Sequence, residues 1–201
     1  MRSTPAPAVS TTDVLAVRVL VGGVAYPDLC DYSIGIEVQE RLSGRAAPPN
    51  VVVEDLSYNP VAIIQRLDDE PSDDRFGRLV VISAVKRGDR PAGTVSSYRW
   101  DGVMPPDEEI QRMVTDAVTG IIALENTLVI ARYFKALPDE VVVVEVEPET
   151  HEFGAALSSE VAEAFDDICD LVWSFATDDA AVAELPMGSL VLTIVPTFRF
   201  G

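Results

Sequence analysis

The side chains on which chemistry can be built are thirty-three carboxylates, two cysteines and a single histidine. Any Ser-His-Asp or Cys-His relay must therefore use His151, which stands in the segment EPETHEFG after an apolar run. The plainer reading of a lone loop histidine is a solvent-facing side chain. The carboxylates are better placed. Asp28 and Asp31 follow one apolar run, and Glu54-Asp55 close another. Oxygen donors on adjacent strand ends can hold a hard metal ion. The same residues also suit local capping, Asp31 at a helix start and Asp55 in an Asx turn, and at this level both readings stand. Cys30 is a soft donor without a neighbouring histidine. Gly22-Gly23 lacks the GxGxxG spacing, and neither GxxxxGK[ST] nor GxSxG occurs. Dinucleotide, P-loop and serine-elbow chemistries are accordingly not expected.

The elements that must position these residues alternate along the chain. Residues 1–12 read as a flexible Pro/Ser/Thr tail, and 13–201 as one α/β domain. Val14–Val21 reads as a strand covered on both faces and closed by Gly22-Gly23. A helix is expected over Asp31–Ser43, with Ile34, Val38 and Leu42 on one stripe. Asn50–Asp55 reads as a second strand, followed by a helix opened by Asn59 as cap and Pro60 at its first position. Leu79–Val85 is a third strand, KRGDRPAG a turn and Thr94–Trp100 an edge strand. A long helical segment covers Asp107–Lys135 with an interruption near Gly120, then a strand over Glu140–Val146 and a helix from Ser158 to Phe175. Segment 186–201, with the apolar run Leu190–Phe200, reads as a late strand or as an extension that docks on the body. This order predicts a three-layer α/β fold, a twisted and mainly parallel sheet between helices. Ligands are then expected beyond the carboxyl ends of the strands.

Composition narrows the function classes. The 201 residues carry fifteen bases and thirty-three acids, a net charge of −18. Residues 136–198 contain fourteen acids and no Lys or Arg. Such a chain is a poor partner for nucleic acid and for anionic membrane surfaces. The acidic stretch is expected to be a solvated face or a dock for a basic protein. No apolar run approaches the ~18 residues of a membrane span, and the N-terminal dozen lacks the apolar core of a secretory signal. Cys30 and Cys169, far apart and without a CxxC, fit a reducing cytoplasm.

The series of motifs resembles one family. VRVLVGGVAYPDLCDYSIGIEVQERL, VVVEDLSYNPVAIIQRL, LVVISAVKRGDRPAGTVSSYRW and ALPDEVVVVEVEPETHEFGAALSSEVAEAFDDICDLV are similar, in order and spacing, to the hydrogenase maturation proteases. These endopeptidases remove a C-terminal extension from the large subunit of nickel-containing hydrogenases after nickel insertion. The resemblance runs from about Val14 to Val172 and implies the same three-layer α/β fold. The family's metal site uses an acidic residue in the first motif, an aspartate in the second and a histidine before a helix. Here the first position falls on Tyr32, directly after Asp31, and the second is kept as Asp55. The third falls on Ala117 when the nearby glycine is matched, and on Gly120 when the helix is matched without gaps. The family's asparagine falls on Tyr26, its Asp-Gly-Gly on Asp55-Leu56-Ser57, and an acidic position in the third strand on Ser83.

The resemblance therefore implies a cleft lined by Tyr26, Tyr32, Asp55, Ser57 and Ala117, with Tyr32 and Asp55 close together. Asp55 is the one retained ligand position, and Asp31 a possible substitute donor. A phenol and a methyl group do not replace carboxylate and imidazole simply. The expectation is a degenerate relative without a bound cofactor, binding a hydrogenase or metalloenzyme large-subunit precursor as an assembly factor. The alternatives are an active endopeptidase using nickel, and an acidic α/β binding protein unrelated to hydrogenase.

Overall fold

In the computed structural model, residues 17–154 and 156–190 are described. The tail 1–12, the first residues of the expected Val14–Val21 strand and nearly all of Leu190–Phe200 lie outside them. Six strands form one sheet in the order β2-β1-β3-β5-β4-β6. β1 (Val19–Gly23), β2 (Val51–Asp55), β3 (Arg78–Ala84) and β5 (Glu140–Val146) run parallel. β4 (Val95–Trp100) runs antiparallel to β5, and the two-residue β6 (Met187–Gly188) joins β4 in parallel. The expected edge strand β4 therefore lies inside the sheet among the described residues. The expected mainly parallel sheet between helices is the one found.

The central strands are apolar at nearly every position because helices cover both faces. On one face Val21, Ile82 and Val144 pack against α1 (Ile34–Ser43) and α5 (Ser159–Thr177), and against Val182 of α6 (Asp179–Ala183). On the other, Leu20, Val81 and Val143 pack against α2 (Pro60–Asp68) and α4 (Leu124–Tyr133). α3 (Asp107–Val118) lies outside α4, joined to it by Ile110, Met113, Ala117, Val129 and Ile130. Full burial of such a side chain contributes about 1.5–3 kcal/mol, so these layers carry the fold.

Three comparisons with the sequence reading have physical causes. Gly22-Gly23 continue β1 instead of closing it, because the backbones of Gly23 and α1 approach closely. A Cβ added at Gly23 would stand 1.9 Å from the Gly35 carbonyl oxygen. The long helical segment is two helices separated at residues 119–123, with Gly120 at φ +89°. Asn59 caps α2 as expected, its side chain accepting from the Val61 N–H at 2.9 Å.

Much of the acidic third is answered within the fold. Asp166 and Asp170 on α5 meet Arg41 and Arg45 of α1 at 2.5 and 2.6 Å. Glu140 and Asp179 meet the buried Arg78 at 2.5 and 2.9 Å. The α1–α5 pairs are exposed and contribute little individually. Arg78, 4% exposed, lies at the base of β3 and also donates to the Phe175 carbonyl.

Candidate functional site

Parallel strands deliver their following loops to one edge of the sheet, and there the loops after β1, β2 and β3 are tied together. The Leu56 N–H donates to the Gly23 carbonyl, and the Val24 N–H to that of Ile82, both at 2.9 Å. Ser57 Oγ accepts from the Ala25 N–H at 3.0 Å and donates to the Gly23 carbonyl at 3.3 Å. Ser83 donates to the Val24 carbonyl at 2.6 Å. Asp55 is half-buried, and its Oδ1 accepts from the Ser57 N–H at 2.8 Å, the Asx turn that its type and place allow.

Tyr26 extends this network toward the other helix layer. Its N–H donates to the Tyr32 carbonyl at 3.0 Å, and its phenol oxygen accepts from the Ile122 N–H at 2.5 Å. Burial raises the Tyr26 phenol above its ordinary pKa, against a smaller lowering from the Ile122 bond. Asn59 Nδ2 donates to the Ala117 carbonyl at 3.4 Å. Hydrogen bonds thus link Tyr32 to Tyr26, and Ala25 to Ser57 and Asp55. Ala117 reaches this neighbourhood through its backbone, while its methyl group is buried against the α3–α4 cluster.

Tyr32 is half-buried and lies edge-on to His151, with ring centroids 6.4 Å apart. Burial raises its phenol pKa first, and the charges of Glu147, Glu125 and Asp31 raise it further. Each acts against the phenolate, so at neutral pH this position presents a neutral O–H.

Asp31 faces another way. It is 1% exposed, and both oxygens are engaged. Oδ2 accepts from the N–H groups of Glu149 and Thr150 at 2.8 and 3.2 Å and from Ser158 Oγ at 2.9 Å. Oδ1 accepts from the Ser158 N–H at 2.7 Å. The carboxylate joins the loop after β1 to the loop after β5 and the start of α5. The backbone adds to that junction: Cys30 N–H donates to the Gly154 carbonyl, and Gly154 N–H to that of Asp28. Cys30 and Asp28 both take positive φ there, +45° and +58°.

A buried charged group beside Tyr32 has no counterpart in the sequence reading. Glu145 is 2% and Glu147 0% exposed. Arg87 forks onto Glu145 at 3.0 and 2.5 Å, and Tyr98 donates to the same carboxylate at 2.8 Å. Glu147 accepts from the N–H groups of Arg87 and Gly88 at 3.0 and 2.9 Å, which fixes the turn after β3. Glu125, in the first turn of α4, lies 3.7 Å from the Arg87 guanidinium. The run EVVVVEVEPE marks Glu145 as a sheet residue, yet partners from elsewhere in the chain, Arg87 and Arg90 from the turn after β3 and Tyr98 from β4, make its burial tolerable.

The three positions that the motif resemblance points to do not make a donor set for a metal ion. Tyr32 offers a neutral phenol, Asp55 one carboxylate with an oxygen bonded to backbone, Ala117 a methyl group and Gly120 no side chain. Asp31 is spent on four bonds, and His151 is exposed in the loop after β5. Among the described residues, no three His, Cys, Asp or Glu side chains are grouped to hold an ion. Metal hydrolysis uses three protein donors and an open position, which these residues do not supply.

The chain matches no protein-family model and no curated protein. Solved structures do match it. A hydrogenase 2 maturation peptidase from a Thaumarchaeota archaeon is 26% identical, with 79% of this chain and 97% of that one covered at a TM-score of 0.55. The hydrogenase maturating endopeptidase HybD from E. coli is 23% identical over 79% of this chain and 91% of its own, TM-score 0.55. The [NiFe] hydrogenase maturation protease HycI from Thermococcus kodakarensis is 16% identical over 80% and 94%, TM-score 0.58. The last two likenesses are of fold. With most of each neighbour's length covered, this chain has the fold of the hydrogenase maturation proteases.

Proposed function

We propose that this protein is a degenerate maturation-protease relative that binds a hydrogenase or other metalloenzyme large-subunit precursor during assembly. One observation supports the reading: the maturation-protease fold is present, while the positions that the motif resemblance assigns to metal ligands hold Tyr32, Asp55 and Ala117 or Gly120. Function resides in a site grafted on a fold, so loss of the site leaves the scaffold free to bind. The carboxyl edge is built for holding a shape. Asp31, Ser57, Tyr26 and Glu147 each spend their polar atoms joining loops.

Two aromatic side chains at that edge remain available to a partner. Tyr58, next to Ser57, is 55% exposed, and Phe153, two residues after His151, is 92% exposed. Exposed aromatics on a rigid surface are the anchors protein partners use.

The test is equilibrium dialysis of the protein against nickel, then incubation with an unprocessed hydrogenase large subunit. The expected result is a stable complex, no stoichiometric nickel and an untrimmed precursor. Phe153→Ala and Tyr58→Ala are each expected to weaken the complex about tenfold, the scale of a modest interface anchor. Stoichiometric metal with trimming abolished by Asp55→Ala would establish the active endopeptidase instead. That control is clean, because removing one half-buried Asx turn costs only about 1 kcal/mol. Failure to bind any large-subunit precursor would leave the acidic binding protein with an unrelated partner.

A further inference from the structure

We infer that the loop after β5 is a preformed docking finger: Phe153 enters an apolar pocket of the protein partner, and basic side chains rim that pocket. The inference rests on the large-subunit reading above and adds the chemistry of the contact. Phe153 is 92% exposed, while the residues on either side of it are held. Before it, the Thr150 N–H donates to Asp31 Oδ2 at 3.2 Å, and the Glu152 N–H to Thr150 Oγ1 at 3.2 Å. The His151 ring lies edge-on to Tyr32. After it, the Gly154 N–H donates to the Asp28 carbonyl at 3.0 Å, and the Gly154 carbonyl accepts from the Cys30 N–H at 2.8 Å. Both ends of the tip are thus tied to the loop after β1, one through the Asp31 carboxylate and the other through the backbone of residues 28–30.

A single exposed apolar side chain is ordinary on a surface. This one stands on a backbone fixed from both sides, so the ordering that docking demands is already present in the free protein. The charge beside the ring indicates what receives it. Asp28, Glu149 and Glu152 are exposed around the tip, and no ion pair among the described residues engages their side chains. Lys86 does not answer them: its ammonium meets the Pro148 carbonyl at 2.9 Å and the buried Glu147 carboxylate at 3.8 Å. Three carboxylates about one phenyl ring, on a chain of net charge −18, repel an acidic surface. They favour a pocket whose rim carries lysine or arginine.

The experiment is surface plasmon resonance of the full chain on an immobilised, unprocessed hydrogenase large subunit. Phe153→Ala is expected to speed dissociation about tenfold, and Phe153→Leu to recover most of that loss. Glu149→Gln with Glu152→Gln is expected to slow association about threefold at ~50 mM salt and to change little at ~300 mM, where exposed charges are screened. Asp31 is a positioning residue in this scheme. Asp31→Asn, or Ser158→Ala where the asparagine variant folds poorly, should weaken the complex about fivefold in the wild-type background and not at all beside Phe153→Ala. A merely structural role would weaken both backgrounds alike and would overturn the part given to Asp31. Wild-type binding that Phe153→Ala leaves unchanged overturns the inference while the large-subunit reading stands. Absence of wild-type binding removes that reading, and the inference with it. Self-association of the chain that Phe153→Ala abolishes would place the pocket on a second copy and overturn the choice of partner.

Discussion

Replacing Asp31 by alanine removes one carboxylate on which four donors converge: the N–H groups of Glu149, Thr150 and Ser158, and the Ser158 hydroxyl. At 1% exposure the carboxylate has no ready access to water. A hydrogen bond to a charged group contributes about 1.5–3 kcal/mol, but four bonds sharing one acceptor are coupled and do not add. Removing the carboxylate also relieves its own desolvation, which offsets part of the loss. The nearest measured analogue, removal of one partner from a buried ionic contact, costs about 3–5 kcal/mol. Against the ~5–15 kcal/mol that stabilises a typical domain, that is a large fraction. With urea m-values of about 1–3 kcal/mol/M, the unfolding midpoint should fall by about 1–5 M. Asp31→Asn keeps one acceptor oxygen but turns an N–H₂ toward a donor, so its midpoint should lie between wild type and alanine. The assay is urea unfolding followed by far-UV circular dichroism at pH 7. A shift within about 0.5 kcal/mol, the range of ordinary surface substitutions, would refute the reading of Asp31 as the tie between the loops after β1 and β5.

Gly23→Ala should lower the thermal midpoint sharply. The new Cβ would meet the Gly35 backbone at 1.9 Å, and overpacking against rigid backbone reaches the upper end of about 1–3 kcal/mol or beyond. Glu145→Ala removes the acceptor of the Arg87 fork and of the Tyr98 hydroxyl while Glu125 stays 3.7 Å from Arg87, and should cost about 1–3 kcal/mol by urea titration. Glu145→Leu combined with Arg87→Met should recover most of that loss, because it removes both charges together. Cys169 is fully buried, and burial pushes its thiol up to about 11 from an ordinary 9.0, with Arg41 and Arg45 acting against that rise. The folded state holds this proton more tightly than the unfolded chain. Its contribution is thus full below about pH 9 and is lost as pH rises toward 11. The stability gap between wild type and Cys169→Ala should accordingly narrow from about pH 8 to about pH 10.5, and a constant gap would contradict the burial effect.

Periodicity and punctuation made most elements legible in the residues themselves. The apolar runs in VLVGG, RLVVISA and EVVVVEV are strands because helices cover both faces, and a strand buried on two sides needs no alternation. Asn59-Pro60 and Asp55 announced a cap and an Asx turn, since both depend on residues within two positions.

What stayed hidden depends on partners far along the chain. Asp31 lies 118 to 127 residues from its four donors, so nothing near it distinguishes a ligand, a local cap and a tie between loops. Glu145 and Glu147 read as surface acids until β3 and β5 pair in parallel and bring the Arg87 turn against them, 58 and 60 residues away. Sheet order likewise escaped local pattern. β4 lies between β5 and β6 because Met187–Gly188 returns beside Arg99–Trp100, a pairing of two residues with no hydrophobic signature. Element types and the α/β class were written in the chain, because they follow from local period and turn chemistry. Which carboxylates are buried ties, and which stay half-buried at the carboxyl edge of the sheet, was settled by the three-dimensional arrangement, because a buried charge is tolerated only where folding delivers its hydrogen-bond partners.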